Sequence, residues 1–387
     1  MKRLLSVFAI ALTMCLLLTS SQSGETPKLG FSAVVVGVLD TELDGTSSLF
    51  YWNGELWSCG DHGKLKLFAL DTVSAEVKET LTIPARVNDM EEVTQDEEYL
   101  YFGDFGNNSS VQRDDLRILR CRKSELSDGD SCHFDTILFT YPGYQPGPLE
   151  GIAETDFDCE AMIAAGDSLY LFTKQWGSFK TDCYALPKTP GSYTAVPHGT
   201  LNAEGLVTGA CYRPEMRLLV LCGYNSVVQP FVYVLYDFEG TDFFGGQREK
   251  LLLTNGMGTQ TEGIATLDGE HYYLTNEHFT GLGNRPAQLL SLDLTDCLHD
   301  YLHPDTSHVF ISATSPRQAL ALYPNPTSGV VYISGVEAHA SVYDMQGHLV
   351  AQSVGKRIDL SAQPKGAYFV SLTDKNGTKM CRTIVKR

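Results

Sequence analysis

The chain has 387 residues and a formal net charge of -18, from 29 Lys and Arg against 47 Asp and Glu. That balance argues against nucleic acid as a partner, and 43% hydrophobic with 20% charged residues argues against a disordered chain. With 35 Gly, 19 Tyr, 18 Phe and few helix-periodic stretches, the composition favours an all-β protein of about two to three domains. The charge is unevenly spread. Residues 24–315 hold 18 basic and 43 acidic side chains, a net of -25, whereas residues 316–387 hold nine basic and four acidic, a net of +5. Such a shift marks a domain boundary. The predicted division is 1–23, 24–315 and 316–387.

Met1–Arg3 is basic, Leu4–Leu18 is apolar and Thr19–Ser23 is small and polar, which predicts a cleaved secretory signal peptide over 1–23. The apolar run is too short for a comfortable bilayer span, and no later segment reaches that length, so no transmembrane segment is expected after cleavage. Cys15 leaves with the signal. An oxidising compartment permits disulfides among the rest, with Cys121–Cys132 and Cys211–Cys222 as the candidate pairs. The alternative is that these cysteines are small buried hydrophobes.

One short pattern recurs through the middle: Asp89-Met90-Glu91-Glu92-Val93, Asp158-Cys159-Glu160-Ala161-Met162, Asn202-Ala203-Glu204-Gly205-Leu206 and Gln260-Thr261-Glu262-Gly263-Ile264. An earlier unit, Thr46-Ser47-Ser48-Leu49-Phe50, carries Ser47 in place of the Glu. Each Glu is expected to open a strand, followed by a tight turn and a more hydrophobic second strand. Positions 47, 91, 160, 204 and 262 are spaced by 44, 69, 44 and 58 residues. Such periods with four short strands each predict a β-propeller over 24–315. Five blades are predicted, with six the alternative, because the long interval leaves Ser127–Thr155 room for an inserted loop or an extra blade. The strand Ser32–Leu39 is predicted to close the ring as the outer strand of the last blade.

First strands of propeller blades line the central channel, so Glu91, Glu160, Glu204 and Glu262 are expected to converge on one mouth. Burying several carboxylates together is costly unless their pKa values rise or a cation neutralises them. A hard cation taking about six to eight oxygens is the simplest answer, and calcium is the expected cofactor outside the cell. Counting along each hairpin places Asp61, Asp104, Lys174 and Asn276 in a second ring, with Glu277 beside Asn276 and Tyr224 ending the fourth hairpin. Together with Trp176 these seven residues form the predicted ligand site. The competing reading is structural: each Glu accepts from local backbone amides, Lys174 is a counter-ion to Glu160, and Trp176 packs within its blade. His299 and His303 have helical i,i+4 spacing suited to a metal, but with no Glu between them they are read as surface residues.

Tyr323-Pro324-Asn325-Pro326 opens a last segment of short alternating strands separated by Gly and Asn turns, which predicts a small immunoglobulin-like β-sandwich. Tyr323-Pro324-Asn325-Pro326, Val342-Tyr343-Asp344-Met345-Gln346-Gly347, Ile358-Asp359-Leu360-Ser361, Lys365-Gly366-Ala367-Tyr368-Phe369-Val370 and the Lys386-Arg387 end follow in order. This segment, 316–387, closely resembles the type A C-terminal sorting domain of the type IX secretion system. The resemblance implies passage across both membranes of a Gram-negative bacterium and removal of the domain by a sortase-like peptidase. It further implies release of the cargo or its attachment to the cell surface.

Asp156-Phe157-Asp158-Cys159-Glu160-Ala161, Leu169-Tyr170-Leu171-Phe172-Thr173-Lys174-Gln175-Trp176 and Gly205-Leu206-Val207-Thr208-Gly209-Ala210 resemble stretches of exported propellers that carry no assigned activity. Glu204-Gly205 and Glu262-Gly263 more weakly resemble esterase-like phytases and calcium-dependent nucleotidases. No P-loop, HExxH, GxSxG or dinucleotide fingerprint occurs in the chain. Two functions follow. One is a secreted or surface propeller that binds calcium and a small ligand, glycan or protein at its channel mouth. The other is a calcium-dependent hydrolase of phosphate esters, with the four Glu as metal ligands, Asp104 as base and Lys174 as anion contact. The net charge of -25 favours the first, since it repels phosphorylated substrates.

Overall fold

The structure, a computed structural model, describes residues 28–126, 132–148, 155–281, 283–304, 322–333, 338–344, 348–374 and 379–387. The signal peptide expected over 1–23 lies outside these residues. The chain divides into two compact units, Met1–Pro304 and Asp305–Arg387. None of the described helices is long and apolar enough to cross a membrane.

Among the described residues, the first unit holds five large sheets, each with a run of four antiparallel strands that are mostly close in sequence. The first sheet runs Thr46–Trp52, Glu55–Gly60, Gly63–Leu70, Val77–Val87, and the second Met90–Gln95, Tyr99–Asp104, Arg117–Arg122, Phe134–Thr140. The third runs Asp158–Ala165, Ser168–Lys174, Thr181–Pro187, Val196–Leu201, and the fourth Leu206–Arg213, Leu218–Tyr224, Pro230–Tyr236, Gln247–Leu253. The fifth contains Thr261–Thr266, His271–Asn276 and Gln288–Asp293, and its fourth strand is Val34–Val38 from the start of the chain. Two outer edges are extended by parallel strands: Gly191–Thr194 on the second sheet and Lys28–Phe31 on the fourth.

Hydrophobicity grades each sheet from inside to outside. Leu218–Tyr224 is buried along its whole length, whereas in Val77–Val87 only Ile83 and Val87 are fully buried. The first strand of every sheet is an edge strand, and these five edges adjoin one another in a cycle that returns from Thr261–Thr266 to Thr46–Trp52. The long interval before the third sheet is filled, among the described residues, by the helix Lys123–Leu126, the strand Phe134–Thr140 and a short pairing of Gly147–Pro148 with Val111–Gln112.

The second unit has two antiparallel sheets. One contains Leu322–Tyr323, Val330–Ile333 and Arg357–Asp359, the other Leu349–Gly355, Ala338–Tyr343, Gly366–Asp374 and Lys379–Lys386. Val331, Ile333, Val342, Ile358, Val370 and Ile384 from both sheets share one apolar core. The polar members of the sequence motifs act as clamps. Asn325 donates to the Thr383 carbonyl (2.7 Å) and accepts from the Val385 amide (2.9 Å). The buried Lys386 ammonium donates to the carbonyls of Leu360, Ser361 and Gln363.

The eight cysteines Cys59, Cys121, Cys132, Cys159, Cys183, Cys211, Cys222 and Cys297 form no disulfide in the structure. The expected Cys211–Cys222 bridge is corrected by register: Cys211 faces Val220 and Cys222 faces Gly209, so the two thiols are not cross-strand partners. Cys121 and Cys132 place their sulfurs 3.0 Å apart without a bond. In the oxidised protein this pair is expected to bond, closing a short loop for roughly 3 kcal/mol of stability. Alkylation of the denatured, unreduced protein should leave both thiols unlabelled and reduction should expose them. Labelling of both before reduction would show that they stay free.

Candidate functional site

Every first strand carries one extra residue at the same place in its hairpin. The register slips at Ser47, Glu91, Glu160, Thr208 and Glu262, each flanked by paired neighbours. A bulge re-aims the side chain of the extra residue. All five are buried, on strands that adjoin around the centre of the unit. Three of the four predicted carboxylates therefore occupy equivalent positions. Glu204 does not, which corrects the sequence reading: it lies four residues before the fourth bulge, in a bend with a left-handed backbone (φ +50°), and is exposed. Thr208 holds the equivalent place, donating to the Thr261 carbonyl at 2.5 Å.

The second strands return beside the bulges. Residues beyond the bulge-flanking pair are Asp61, Phe105, Lys174, Tyr224 and Glu277, each one step past Gly60, Asp104, Thr173, Gly223 and Asn276. Successive side chains on a strand point to opposite faces, so this single step decides which residues meet the bulge carboxylates. Asp61, Lys174, Tyr224 and Glu277 fall on the predicted ring.

Asp104 and Asn276 fall one step off it. Asp104 is buried and ion-paired to Arg113 (3.1 Å) and Arg117 (2.7 Å), and it accepts from the amides of Asn88 and Asp89. Held on both oxygens, it is a structural anchor rather than the free base of the hydrolase reading. Asn276 donates to the carbonyls of Glu277 and Pro286, 3.0 Å each, and pins its own turn.

At the centre, the Lys174 ammonium lies 2.5 Å from Glu160 Oε2 in a buried ion pair. It also stands 5.0 Å from the Trp176 ring and 5.3 Å from the Tyr224 ring, within cation–π reach. Trp176 donates its indole N–H to Asp158 Oδ2 (2.8 Å), while Asp158 Oδ1 accepts from the Asn107 amide (2.7 Å). Tyr224 accepts from the Gln260 side chain at 2.6 Å. Asp89 and Glu91 flank Gly106 so closely that a Cβ there would stand 2.4 Å from an oxygen of each.

The electrostatics follow from this crowding. Burial, then the charges of Glu160, Asp89 and Asp158, raise the Glu91 carboxyl well above its ordinary range against the opposing pull of Lys174. Burial raises Glu262 likewise, with Glu277, Asp158 and Asp61 adding to it and Lys174 opposing. Glu160 is raised by burial despite its lysine partner. Asp89 is pushed up to about 6, by burial first and Asp158 next. Burial acts to lower Lys174, but Glu160, Tyr224, Glu262 and Asp158 outweigh it and hold the ammonium charged. Among the described residues, Asp61, Asp89, Glu91, Asp158, Glu160, Glu262 and Glu277 share this field with one central lysine.

A further central carboxylate escaped the sequence reading. Glu92, one residue past the second bulge, is buried with Oε1 accepting from Ser48 (2.5 Å) and from its neighbour's amide, while Oε2 accepts from the Ala210 amide (3.1 Å). It ties the second sheet to the first and fourth. Its signal in the sequence was the doubled Glu91-Glu92, which only the bulge separates into two roles. Glu92→Ala strands Ser48 and the Ala210 amide and is expected to lower the unfolding free energy by about 3 kcal/mol. Asp61→Asn, at a partly exposed position, should change it by less than about 0.5 kcal/mol. Urea denaturation of the two variants checks the contrast, and equal effects would remove Glu92 from this role.

The family described as a secretion system C-terminal sorting domain matches residues 321–386. No curated protein matches the chain. Among solved structures, the PQQ-bound form of aldose sugar dehydrogenase from Streptomyces coelicolor is similar over 69% of this chain and 99% of its own, at 12% identity and a TM-score of 0.39. A hypothetical protein from Leishmania major is similar over 74% of this chain and 94% of its own, at 12% identity and a TM-score of 0.36. The ordered motifs from Tyr323 to Arg387, their shared core and the family match make the end of this chain a type IX sorting domain, and the protein a cargo exported by that secretion machinery.

Proposed function

We propose that residues 28–304 form a five-bladed β-propeller that binds a cation, calcium in the first place, together with a small ligand at its channel mouth. Five sheets with cyclically adjoining edge strands, the last completed by Val34–Val38, support the blade count over the six-bladed alternative. The second unit, with its two sheets around one core, serves as the immunoglobulin-like sorting sandwich. Export by the type IX route then delivers the propeller to the surface of a Gram-negative bacterium or to the medium, and a sortase-like peptidase removes the sorting domain.

The observation that carries the cation reading is the imbalance at the mouth: seven carboxylates face one lysine. Lys174 already neutralises Glu160. Asp89 and Glu91 share the cradle over Gly106 and offer hard oxygen donors, the chemistry that calcium prefers, with Arg113 beside them on the Gly106 carbonyl (3.1 Å). Asp61, Glu262 and Glu277 are the remaining acids available to a ligand's positive charge. With Asp104 anchored by two arginines and Lys174 occupied, the site favours binding over ester hydrolysis.

Calcium titration by calorimetry of the secreted protein tests this. Glu91→Gln and Asp89→Asn should each weaken binding at least about tenfold, and absence of calcium binding in the parent would sink the reading. The pH dependence has a definite sign. A carboxyl raised in the folded state to about 6, as at Asp89, favours folding while protonated, so its contribution is lost as pH rises from about 4 through 6. In chelator the melting temperature should therefore fall across that window, by an amount worth roughly 2–3 kcal/mol. Excess calcium should abolish the fall, and a calcium-independent profile would count against it.

A further inference from the structure

Elsewhere in the first unit, two histidines meet a glutamate from another element. The helix Thr295–Leu302 carries His299, and His303 caps its end. Glu270 sits at the start of the strand His271–Asn276, some thirty residues earlier in the chain. His299 Nδ1 lies 2.8 Å from Glu270 Oε1 and His303 Nε2 lies 3.3 Å from Glu270 Oε2. One donor atom from each residue falls within 4.8 Å of the others.

We propose that Glu270, His299 and His303 bind a borderline divalent transition metal, zinc in the first place. The three donors are two imidazole nitrogens and one carboxylate oxygen, a set that suits zinc rather than calcium. Donors about 2.1 Å from a tetrahedral zinc stand roughly 3.4 Å apart, close to the separations already present. The i,i+4 spacing stacks the two rings on one helix face, with centroids 4.7 Å apart, so both point at the same carboxylate.

The framework around the three residues is held before any metal arrives. The Leu294 amide donates to the Glu270 carbonyl (2.8 Å), and Leu298 is buried in the core beneath the helix. Gly269, with φ +83°, lets the turn approach Leu302, where a Cβ would stand 3.0 Å from its Cδ1. Tyr301 donates to the Met216 carbonyl at 2.7 Å and fixes the other side of the helix. The Glu270 side chain is 12% exposed and each histidine 57%. A buried acid thus forms the floor, two rings form the walls, and the outward side is open for water or a further ligand. The acidic unit as a whole draws cations toward it. Bound here, the metal would tie the helix Thr295–Leu302 to the sheet that Val34–Val38 completes.

The test uses the untagged full-length protein, titrated with zinc by calorimetry and with cobalt(II) by visible spectroscopy. One zinc per chain is expected, with tetrahedral cobalt bands lacking thiolate charge transfer. His299→Gln and His303→Gln should each weaken binding by at least ~100-fold; both side chains are largely exposed, so the variants are expected to fold, as circular dichroism would verify. A tenfold excess of calcium should not displace the zinc, and Glu91→Gln should bind zinc like the parent, which separates this site from the channel mouth. No zinc binding by the parent, unchanged binding by both histidine variants, or a thiolate signature in the cobalt spectrum would each overturn the proposal.

Discussion

The buried ammonium of Lys174 is the constraint around which the centre of this protein is organised. It enters from the second strand of the third sheet, pairs with Glu160 on the neighbouring first strand, and lies within the field of carboxylates contributed by the second, third and fifth sheets. Removing one partner of such a buried pair leaves an uncompensated charge, which is far more damaging than losing a surface pair. The aromatic faces of Trp176 and Tyr224 confine the ammonium from two sides. One lysine cannot balance seven acids, however, and burial first, with the neighbouring acids adding to it, raises Glu91, Glu262 and Asp89 toward their neutral forms.

The backbone feature that makes this possible is a one-residue slip. Without the bulge, Glu91 and Glu92 would point to opposite faces of their strand. With it, Glu91 joins the mouth while Glu92 bonds across to Ser48 and Ala210. The same slip at Glu160 and Glu262 sets acids at matching depth, and at Ser47 and Thr208 it sets hydroxyls. Three acids and two hydroxyls at the five bulges limit the repulsion that five carboxylates would create, and Thr208 bonds to the adjacent sheet instead of adding charge.

The sorting domain solves a different problem with the same economy of polar contacts. Its strand Lys379–Lys386 lies at an edge of its sheet and is held there by polar contacts. Asn325 clasps that strand from one motif, and Lys386 reaches from the strand itself to three carbonyls around Leu360. The basic terminus thus has an internal structural role in addition to whatever the secretion machinery reads.

The sequence by itself determined the all-β class, the export route and most of the central acids. Strand alternation, glycine turns and ordered tail motifs are local signals, and a glutamate before a hydrophobic strand is visible wherever the spacing is regular. The pairing of Val34–Val38 with Gln288–Asp293 was likewise legible, as a strand expected over Ser32–Leu39 to complete the last set of strands. Only the tertiary structure decided register. Glu204 enters the predicted ring through the recurring pattern Asn202–Leu206, yet the bulge falls at Thr208; Asp104 and Asn276 pair with the residues that flank their bulges, one step short of Phe105 and Glu277. A slip of one residue inverts a side chain's face, and no composition or period reveals it. The same limit hid Glu270, whose meeting with His299 and His303 depends on a turn and a helix brought together by packing around Leu298. Pairings between elements distant in sequence are set by the core they share, and the folded chain alone displays them.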